Sequence, residues 1–479
     1  MKIAIIGAGP AGITAAYKLS GEIQSGRISQ LDVYEVSTQV GGLSKSVSMW
    51  DQTVDLGPHR FFSHDPKINK LWLEVVENDF EIVNRKTRIF YKNTFFDYPI
   101  QASNALKGLG FFEAVRCVLS YLIQLIFPFK NADTFESWVS NRFGKRLYQI
   151  FFKTYSEKLW GIKCDRLDSD FASQRIKKLS LFEAIKNALF QGNKKKHATL
   201  VDQFAYPLKG TGSVYLKMAE KITSNGGYIH LNTGVEKVIT SGRIITGLEL
   251  NNGKIINYDH VISSMPLSLL VTRLPETPYN IKELAQSLKF RNTILVYLNI
   301  NKTDLFPDQW LYIHSADLKM GRITNFRNWV PDLYGGKNES ILCLEYWCNF
   351  EDPEWQLDDA SYIALGTEEI SKTGLIGDGK VIEGKVIRIP RCYPVYFKGY
   401  KEKLSPIEEY LDTIQNLQVI GRYGAYKYNN QDHSILMGIL AAENVFSEKK
   451  NNLWNINTDY EVYQESSVIT KTGLISSEN

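Results

Sequence analysis

The sequence predicts an α/β fold in which a discontinuous Rossmann-like domain carries a mainly helical insertion and an antiparallel β-sheet domain. Three observations predict it: a Gly-rich turn between a strand and a helix at the N-terminus, β-rich segments after residue 225, and a final strand and apolar helix. The predicted segments are 1–65, 205–272 and 412–450 for the Rossmann-like domain, 66–204 for the helical insertion, 273–411 for the antiparallel sheet, and 451–479 for a partly disordered C-terminal extension.

The composition is that of an ordinary globular protein. Of 479 residues, 44% are apolar and 23% charged, and the net charge is +4. These values argue against wholesale disorder, a polytopic membrane protein and a nucleic-acid binder. The five cysteines are widely scattered, so we expect reduced thiols, no disulfide framework and no metal site. Because Met1 leads directly into a strand without a signal peptide, we expect a cytoplasmic protein.

The N-terminus contains the full pattern of a dinucleotide-binding βαβ unit. The apolar run at residues 3–6 suits a central parallel strand. In the turn that follows, Gly7 permits a tight bend, Gly9 lets the backbone approach a pyrophosphate, and Gly12 lets helix and strand pack closely. Glu35 ends the second predicted strand, 23 residues after Gly12, where it can accept hydrogen bonds from ribose hydroxyls. The phosphates are expected at the helix N-terminus.

A second Gly-Gly pair distinguishes between the possible dinucleotides. Gly41 and Gly42 follow soon after the acid and bring another backbone segment towards the phosphates. This combination resembles the flavoproteins with two dinucleotide-binding domains and favours FAD over NAD. Gly57 and Val235, each in a later segment, are further expected cofactor contacts.

Residues 117–129 form an uncharged apolar stretch. A segment of this length is too short to cross a hydrocarbon core, which needs about 20 residues. We therefore expect a buried core helix and no membrane contact. An interfacial membrane helix is the alternative.

Motifs spread along the chain carry a resemblance to a known family. They are Gly57-Pro58-His59, Tyr98-Pro99-Ile100-Gln101, Lys158-Leu159-Trp160-Gly161-Ile162 with Arg175, Trp310-Leu311-Tyr312 with Arg322, Tyr393-Pro394, and the stretch from Gly421 to Ser434. Together they resemble the UDP-galactopyranose mutases, which are relatives of the amine oxidases and protoporphyrinogen oxidases. The resemblance extends over nearly the whole chain.

The resemblance implies contacts with the flavin ring and with uracil. His59 would lie near the flavin N5, where an imidazole that titrates near neutrality can tune the protonation of the reduced ring. Tyr98 would stack on the uracil base, and Gln101 would read the amide edge of that base.

The resemblance also implies a diphosphate site. Trp160 and Arg175 would face the substrate, as would Trp310, Tyr312 and Arg322. Planar guanidinium groups pair with phosphate oxygens and stabilise the charge that develops when UDP leaves. For either arginine alone, the alternative is a surface ion pair.

The last motif is expected to surround the flavin. Gly421 and Arg422 begin it, and the helix that starts near Asp432 would direct its N-terminus at the pyrimidine ring of a reduced, anionic flavin. Asp432 could equally be a simple N-cap. Tyr393 and Tyr428 would donate their hydroxyls to the diphosphate.

The activity implied is that of an isomerase. Reduced FAD would interconvert the pyranose and furanose forms of a UDP-sugar, UDP-galactopyranose or a close relative, through a flavin N5–sugar adduct. NAD(P)H or another donor would reduce the flavin, and the product would serve cell-surface polysaccharide biosynthesis. A homo-oligomer is compatible with this reading. The sugar stays open, because Ser156 stands where the eukaryotic-type mutases have an asparagine that touches the sugar.

Two other functions remain open. An FAD-dependent oxidase or desaturase of the amine oxidase or protoporphyrinogen oxidase type predicts the same Gly-rich turn and the same Glu35. It does not require Tyr98 with Gln101 or a pair of arginines. A prenyl-protein escort would share the fold without flavin chemistry.

Overall fold

A computed structural model describes residues 1–98, 100, 102–176, 203–456, 466–471 and 473–477. The chain divides into two compact units. The first comprises Met1–Ile82, Phe204–Lys289 and Lys401–Asn479, and the second comprises Val83–Gln203 and Phe290–Tyr400. The three segments predicted for the Rossmann-like domain all lie in the first unit.

The elements are numbered in chain order. The strands are β1 (Lys2–Ile6), β2 (Gln30–Tyr34), β3 (Ser46–Met49), β4 (Gln52–Asp55), β5 (Phe80–Asn84), β6 (Thr87–Tyr91), β7 (Thr94–Asp97), β8 (Gln203–Pro207), β9 (Tyr228–His230), β10 (Val235–Ser241), β11 (Ile244–Leu250), β12 (Ile255–Asn257), β13 (His260–Ser263), β14 (Phe290–Ile300), β15 (Trp310–Ile313), β16 (Arg322–Asn325), β17 (Ser340–Cys348), β18 (Val381–Pro394), β19 (Leu417–Val419), β20 (Ser466–Thr470) and β21 (Gly473–Ser477).

The helices follow the same numbering. They are α1 (Pro10–Gln24), α2 (Pro66–Val76), α3 (Ala102–Leu109), α4 (Phe111–Ile126), α5 (Phe135–Phe143), α6 (Lys145–Tyr148), α7 (Thr154–Trp160), α8 (Ser169–Ile176), α9 (Gly212–Ser224), α10 (Leu267–Arg273), α11 (Tyr279–Ser287), α12 (Pro353–Gln356), α13 (Asp359–Lys372), α14 (Tyr400–Asp412), α15 (Gly421–Gly424) and α16 (Gln431–Phe446). A π-helical turn, Gln149–Lys153, links α6 to α7.

A five-stranded sheet lies at the centre of the first unit, in the order β19-β13-β1-β2-β9, and its paired neighbours run parallel. Its central strand β1 is apolar because it is buried on both faces, and α1, α9 and α16 contribute to the same core. Gly438 of α16 packs directly on α1, since a Cβ there would lie 2.5 Å from the carbonyl oxygen of Ala11. This parallel sheet confirms the predicted α/β class.

Smaller antiparallel elements complete the first unit. They are the meander β10-β11-β12, the hairpin β3-β4 and the C-terminal hairpin β20-β21. The last hairpin takes the place of the disorder expected for that part of the tail. Its Ile469 is buried in the same apolar core as Trp72 of α2, and this contact anchors the hairpin to the first unit.

The second unit contains a seven-stranded sheet in the order β18-β14-β17-β16-β15-β6-β7. Side chains alternate across it with period two. One face is apolar, includes Val296, Leu311 and Leu344, and forms a core with α13. On the other face, which we call the site face, β15, β16 and β17 present Tyr312, Arg322 and Glu345. The polar side chains predicted to contact substrate on β15 and β16 therefore share one surface.

Helix α4 covers most of the apolar stretch at 117–129 and is not the buried helix that was expected. Only Cys117, Tyr121 and Gln124 are buried, at spacings of four and three residues that place them on one face against α5 and α6. The stretch is apolar on every side, so its remaining large side chains are exposed. No helix in the described ranges is both long and apolar enough to cross a bilayer.

Candidate functional sites

The turn between β1 and α1, which we call the cradle, presents its backbone without a capping side chain. Gly9 precedes α1, and no side chain caps the first N–H groups of the helix. Gly7 has φ +95° and donates its N–H to the carbonyl of Tyr34 at 2.8 Å. A Cβ on Gly12 would lie 1.9 Å from the carbonyl oxygen of Gly7. The geometry therefore requires glycine at positions 7 and 12 and leaves the helix N-terminus open to an anion.

The second Gly-Gly segment closes the cradle. The Gly41 N–H donates to the Ala8 carbonyl at 2.8 Å, which fixes this segment beside the turn. Gly42 has φ +53°, and a Cβ on it would lie 2.9 Å from the Cα of Gly9. Two backbone segments thus meet with no side chain between them. The residues present fit the pyrophosphate of a dinucleotide.

Glu35 lies beside this cradle and is held in place by backbone groups. Its Oε2 accepts the Ala8 N–H and its Oε1 accepts the Ser37 N–H, each at 2.8 Å. Each carboxylate oxygen keeps a second lone pair for a ribose hydroxyl. The Glu35 carbonyl accepts the N–H of Thr233 at 2.8 Å, which brings the start of β10, with the buried Val235, next to the acid.

A buried network fixes the loop that carries Gly57 and His59. Gly57 has φ +104°, and the His59 carbonyl accepts a hydrogen bond from the Thr211 hydroxyl at 2.7 Å. Asp55 accepts hydrogen bonds from the Thr211 N–H at 3.2 Å and the Tyr206 hydroxyl at 2.7 Å. Burial raises the pKa of Asp55 to about 6, although these hydrogen bonds oppose the shift. No role was predicted for Asp55 from the sequence. Its place two residues before Gly57, at the end of a strand, was the available signal.

The Gly421 motif packs against the same cradle. Gly421 has φ +81°, and a Cβ there would lie 3.1 Å from the Cβ of Ala11 in α1. The Arg422 guanidinium lies over the Tyr428 ring, 4.5 Å from its centroid, and donates to the Asn429 carbonyl at 3.4 Å. Tyr428 belongs to this first unit, whereas Tyr393 belongs to the second.

The start of α16 shows that Asp432 does not cap this helix. Asn430 occupies the N-cap position, and Asp432 lies inside the first turn. The carboxylate of Asp432 contacts the Nδ1 of His433 at 2.8 Å. The simple N-cap alternative for Asp432 is therefore wrong, and no side chain caps the N–H groups at this end of the helix.

In the second unit, Arg322 forms a two-pronged ion pair with Glu345. Nε and Nη2 donate to the two carboxylate oxygens at 2.6 and 2.5 Å, and Nη2 also approaches the Tyr393 hydroxyl at 3.4 Å. Burial alone lowers the pKa of Arg322, but Glu345 and Tyr393 hold that pKa well above its usual value. No role was predicted for Glu345 from the sequence. The ion pair proposed as the alternative for a single arginine exists, but it is buried rather than on the surface.

Three tyrosine rings cluster next to this ion pair. Tyr312 lies directly across from Arg322 in the β15–β16 register. Its ring centroid is 4.8 Å from that of Tyr98 and 5.6 Å from that of Tyr155. Tyr98 is 41% exposed, so part of its ring surface is open to a ligand. Tyr155, for which no role was predicted from the sequence, is one residue before Ser156 on α7.

The two predicted substrate tryptophans are buried. Trp160 packs edge-on against Tyr393, with ring centroids 6.1 Å apart, and Trp310 packs beside Trp329 at 5.9 Å. Trp160 thus supports the tyrosine whose hydroxyl meets Arg322. Gln101 and the side chain of Arg175 lie outside the described part of the chain.

Two cations, the half-buried Lys158 and the buried Arg291, hold α7, which carries Tyr155 and Trp160, in place. The Lys158 ammonium donates to the carbonyls of Ile313, Ser315 and Met320 at 3.3, 2.7 and 3.3 Å, and burial lowers its pKa to about 8. The Arg291 guanidinium donates to the carbonyls of Lys158 and Leu159 at 3.4 and 3.3 Å. A Cβ on Gly161 would lie 2.4 Å from the Arg291 Cζ, so glycine follows Trp160 for a steric reason.

Comparison with protein families gives a match over most of the chain. The family described as "Flavin containing amine oxidoreductase" matches residues 10–310. A 4,4'-diapophytoene desaturase from Methylomonas sp. is 22% identical over 68% of this chain, and a zeta-carotene desaturase from Arabidopsis thaliana is 25% identical over 58%. The chain covers 65% and 52% of these relatives, less than two thirds of either.

Comparison with solved structures identifies similar folds. A reduced UDP-galactopyranose mutase superposes with a TM-score of 0.82 at 22% identity, covering 95% of this chain and 98% of that one. A putative protoporphyrinogen oxidase from Exiguobacterium sp. gives a TM-score of 0.70 at 15% identity, covering 93% and 98%. At these identities the similarity establishes the fold.

Proposed function

Because this chain belongs to the flavin-containing amine oxidoreductase family, with FAD as its cofactor, we propose that it is a mutase that needs reduced FAD and interconverts the pyranose and furanose forms of a UDP-sugar. The substrate proposed is UDP-galactopyranose or a close relative. The observation that carries the proposal is the cluster of Arg322, Tyr393, Tyr312 and Tyr98 in the second unit. Its groups match the chemistry of a nucleoside diphosphate: an aromatic ring for the base, and a guanidinium with a phenol for phosphate oxygens.

The proposed base site is the exposed Tyr98 ring. Stacking of a base on an aromatic side chain contributes about 1 to 3 kcal/mol. The neighbouring Tyr312 ring, at 4.8 Å between centroids, holds the Tyr98 ring from one side and restricts its motion. A ring that is already restricted loses less conformational entropy when the base binds.

The proposed diphosphate site is the outer edge of the Arg322 guanidinium. Glu345 accepts from Nε and Nη2, so the plane of the guanidinium is fixed before substrate arrives. Nη1 makes no hydrogen bond with the described residues and can donate to a phosphate oxygen beside the Tyr393 hydroxyl. Since Glu345 offsets the charge of Arg322, a diphosphate needs a second cation, and Arg175 is the residue we propose for it.

The first unit would hold the cofactor. Bound and reduced, FAD supplies the nucleophile for exchange at the anomeric carbon of the sugar. The cradle at Gly9 and Gly42 would hold its pyrophosphate, and Glu35 its ribose. The uncapped N-terminus of α16 would stabilise negative charge on the reduced ring. The Thr211 hydroxyl fixes the backbone of His59, the residue that we propose lies beside the flavin ring.

The test is one assay in two redox states. The FAD-loaded protein is incubated with a panel of UDP-hexopyranoses, once oxidised and once reduced with dithionite, and the products are separated by chromatography. We expect a furanose product only in the reduced reaction, and the productive substrate identifies the sugar. No furanose product under reduction, together with no binding of UDP, would overturn the proposal.

The second candidate function is an FAD-dependent oxidase or desaturase. It is favoured by the names of the two sequence relatives, both desaturases. It predicts that an oxidised, anaerobic sample loses its flavin colour when an apolar polyene is added and that UDP has no effect. The buried charges of Arg322 and Glu345 on the site face favour a polar substrate instead.

A further inference from the structure

Helix α4 and the residues after it present a continuous apolar surface, which we call the α4 surface. Its most exposed members are Phe111, Phe112, Leu119, Ile123, Ile126 and Phe127, with exposed fractions of 76, 81, 54, 60, 70 and 74%. Single exposed apolar side chains are common, but a contiguous group of this extent marks an interaction site.

The opposite face of α4 packs against α5 and α6, so the apolar side chains of α4 remain exposed. The Ser120 hydroxyl accepts the N–H of Arg146 at 3.0 Å, and the Gln124 side chain donates to Asn141 at 2.9 Å. Gly144, between α5 and α6, packs so closely that a Cβ there would lie 2.8 Å from the backbone of Tyr121. Rotating α4 to bury its apolar side would break these contacts.

The charges that accompany this surface are mostly positive. Residues 111–146 include five basic and three acidic side chains. Glu113 is paired with Arg146 and lies 3.6 Å from Arg116, and Asp133 is paired with Lys398 at 2.7 Å. Arg116 and Lys130 are exposed, one along the helix and one after Phe129. Basic side chains thus outnumber acidic ones by two in this segment, and the exposed charges on α4 and directly after Phe129 are basic.

We propose that the α4 surface docks on the face of an anionic lipid bilayer, with the helix lying in the plane of the interface. Helices that bind in this way combine Phe and Leu on an apolar side with Arg and Lys beside it. α4 has 16 residues, too few to cross a bilayer, and phenylalanines mark both ends of the surface. A symmetric contact between two copies would bring the same basic residues close to one another. This inference is independent of the reaction that the enzyme catalyses.

The experiment is flotation of the FAD-loaded protein with vesicles. One set contains phosphatidylglycerol and phosphatidylcholine in equal parts, and the other contains phosphatidylcholine alone. We expect the wild type to float with the anionic vesicles. Ile123→Gln/Ile126→Gln should lower that binding by at least about tenfold, because two exposed aliphatic side chains can no longer be buried in the bilayer. Arg116→Gln/Lys130→Gln should lower it by about fivefold per charge and reduce its salt dependence.

The matched control is Ile255→Gln, which changes an equally exposed isoleucine (58%) on β12 of the first unit. It should bind vesicles as the wild type does, and flavin absorbance and urea unfolding should be alike in all variants. Failure of the wild type to bind either vesicle set would overturn the proposal. Solution mass then tests for a second copy: if the α4 variants convert an oligomer to a monomer, a second copy covers the surface.

Discussion

Replacing Arg322 with methionine is expected to destabilise the protein far more than the loss of a surface ion pair would. The side chain of its partner Glu345 is 2% exposed and that of Arg322 is 17% exposed. Exposed pairs contribute about 0 to 1 kcal/mol. Removing one member of a buried pair costs about 3 to 5 kcal/mol, because the remaining charge loses its partner. Loss of activity in this single variant would therefore not by itself demonstrate a role in binding.

The double variant Arg322→Met/Glu345→Met separates stability from function. Exchanging a buried pair for apolar side chains of similar size is often neutral or stabilising by about 1 to 4 kcal/mol. We therefore expect urea unfolding close to that of the wild type. Binding of UDP, measured by calorimetry on the FAD-loaded protein, should weaken by about 1.5 to 3 kcal/mol, roughly ten- to a hundredfold, because a charge-assisted hydrogen bond to phosphate is lost.

The matched control uses a second two-pronged pair of the second unit, between Arg88 of β6 and Asp308. Arg88 donates to Asp308 from Nε at 2.9 Å and from Nη2 at 2.6 Å, and Asp308 is fully buried. Arg88 is in register with Leu311, and Leu311 lies in the apolar core. Both residues are therefore on the apolar face of the sheet and not on the site face. Arg88→Met should destabilise as Arg322→Met does, and Arg88→Met/Asp308→Met should leave UDP binding unchanged.

Two results would refute this reasoning. If Arg322→Met costs less than about 1 kcal/mol, the pair behaves as an exposed one and the argument from burial fails. If the double variant at 322 and 345 binds UDP with the affinity of the wild type, Arg322 does not contact the diphosphate.

Three further predictions concern the cradle, the buried Asp55 and the proposed base site. Gly12→Ala should abolish FAD binding, measured as flavin absorbance after purification, because its Cβ would meet a carbonyl oxygen at 1.9 Å; Gly21→Ala, in the same helix with open space around it, should bind FAD normally. The pKa of Asp55 is ordinarily near 3.8, and burial raises it to about 6, so folded Asp55 holds its proton more tightly than unfolded Asp55 does. The contribution of Asp55 to the free energy of unfolding therefore falls as pH rises from about 4 to 6, by about 1.4 kcal/mol per pH unit. Urea unfolding of Asp55→Asn should lack this fall, and a pH profile identical to that of the wild type would contradict the assignment. Tyr98→Ala should weaken UDP binding by about 1 to 3 kcal/mol, while Tyr279→Ala, which removes an exposed ring of the first unit, should not; equal affinities would eliminate the base site.

The cofactor cradle was predictable because its requirements are local. A positive φ at Gly7 and the contact of Gly12 with the preceding strand involve residues only a few positions apart. The spacing of these glycines in the sequence is therefore enough to predict the turn. Gly42 lies farther away, yet it approaches Gly9 for the same reason, since only a residue without a Cβ fits there.

The candidate substrate site was predictable in part. Tyr98, Tyr312 and Arg322 came from resemblance, and the structure brings the three together through the β15–β16 register and one ring contact. Trp160 and Trp310 were assigned to the substrate as well, but both are buried against other rings. Their contact with the substrate stays a prediction, and their packing against other rings depends on the tertiary structure rather than on the motif.

The sequence by itself determined the fold class and the cofactor cradle, because backbone conformation and side-chain periodicity depend on near neighbours. Only the tertiary structure decided that Glu345 neutralises Arg322, since the two meet through the pairing of β16 with β17. The tertiary structure also buries Asp55 and pairs it with the hydroxyl of Tyr206, 151 positions away. It leaves the apolar side chains of α4 exposed. Burial and charge pairing depend on strands and helices that are distant in the chain, and no local pattern encodes which of them will meet.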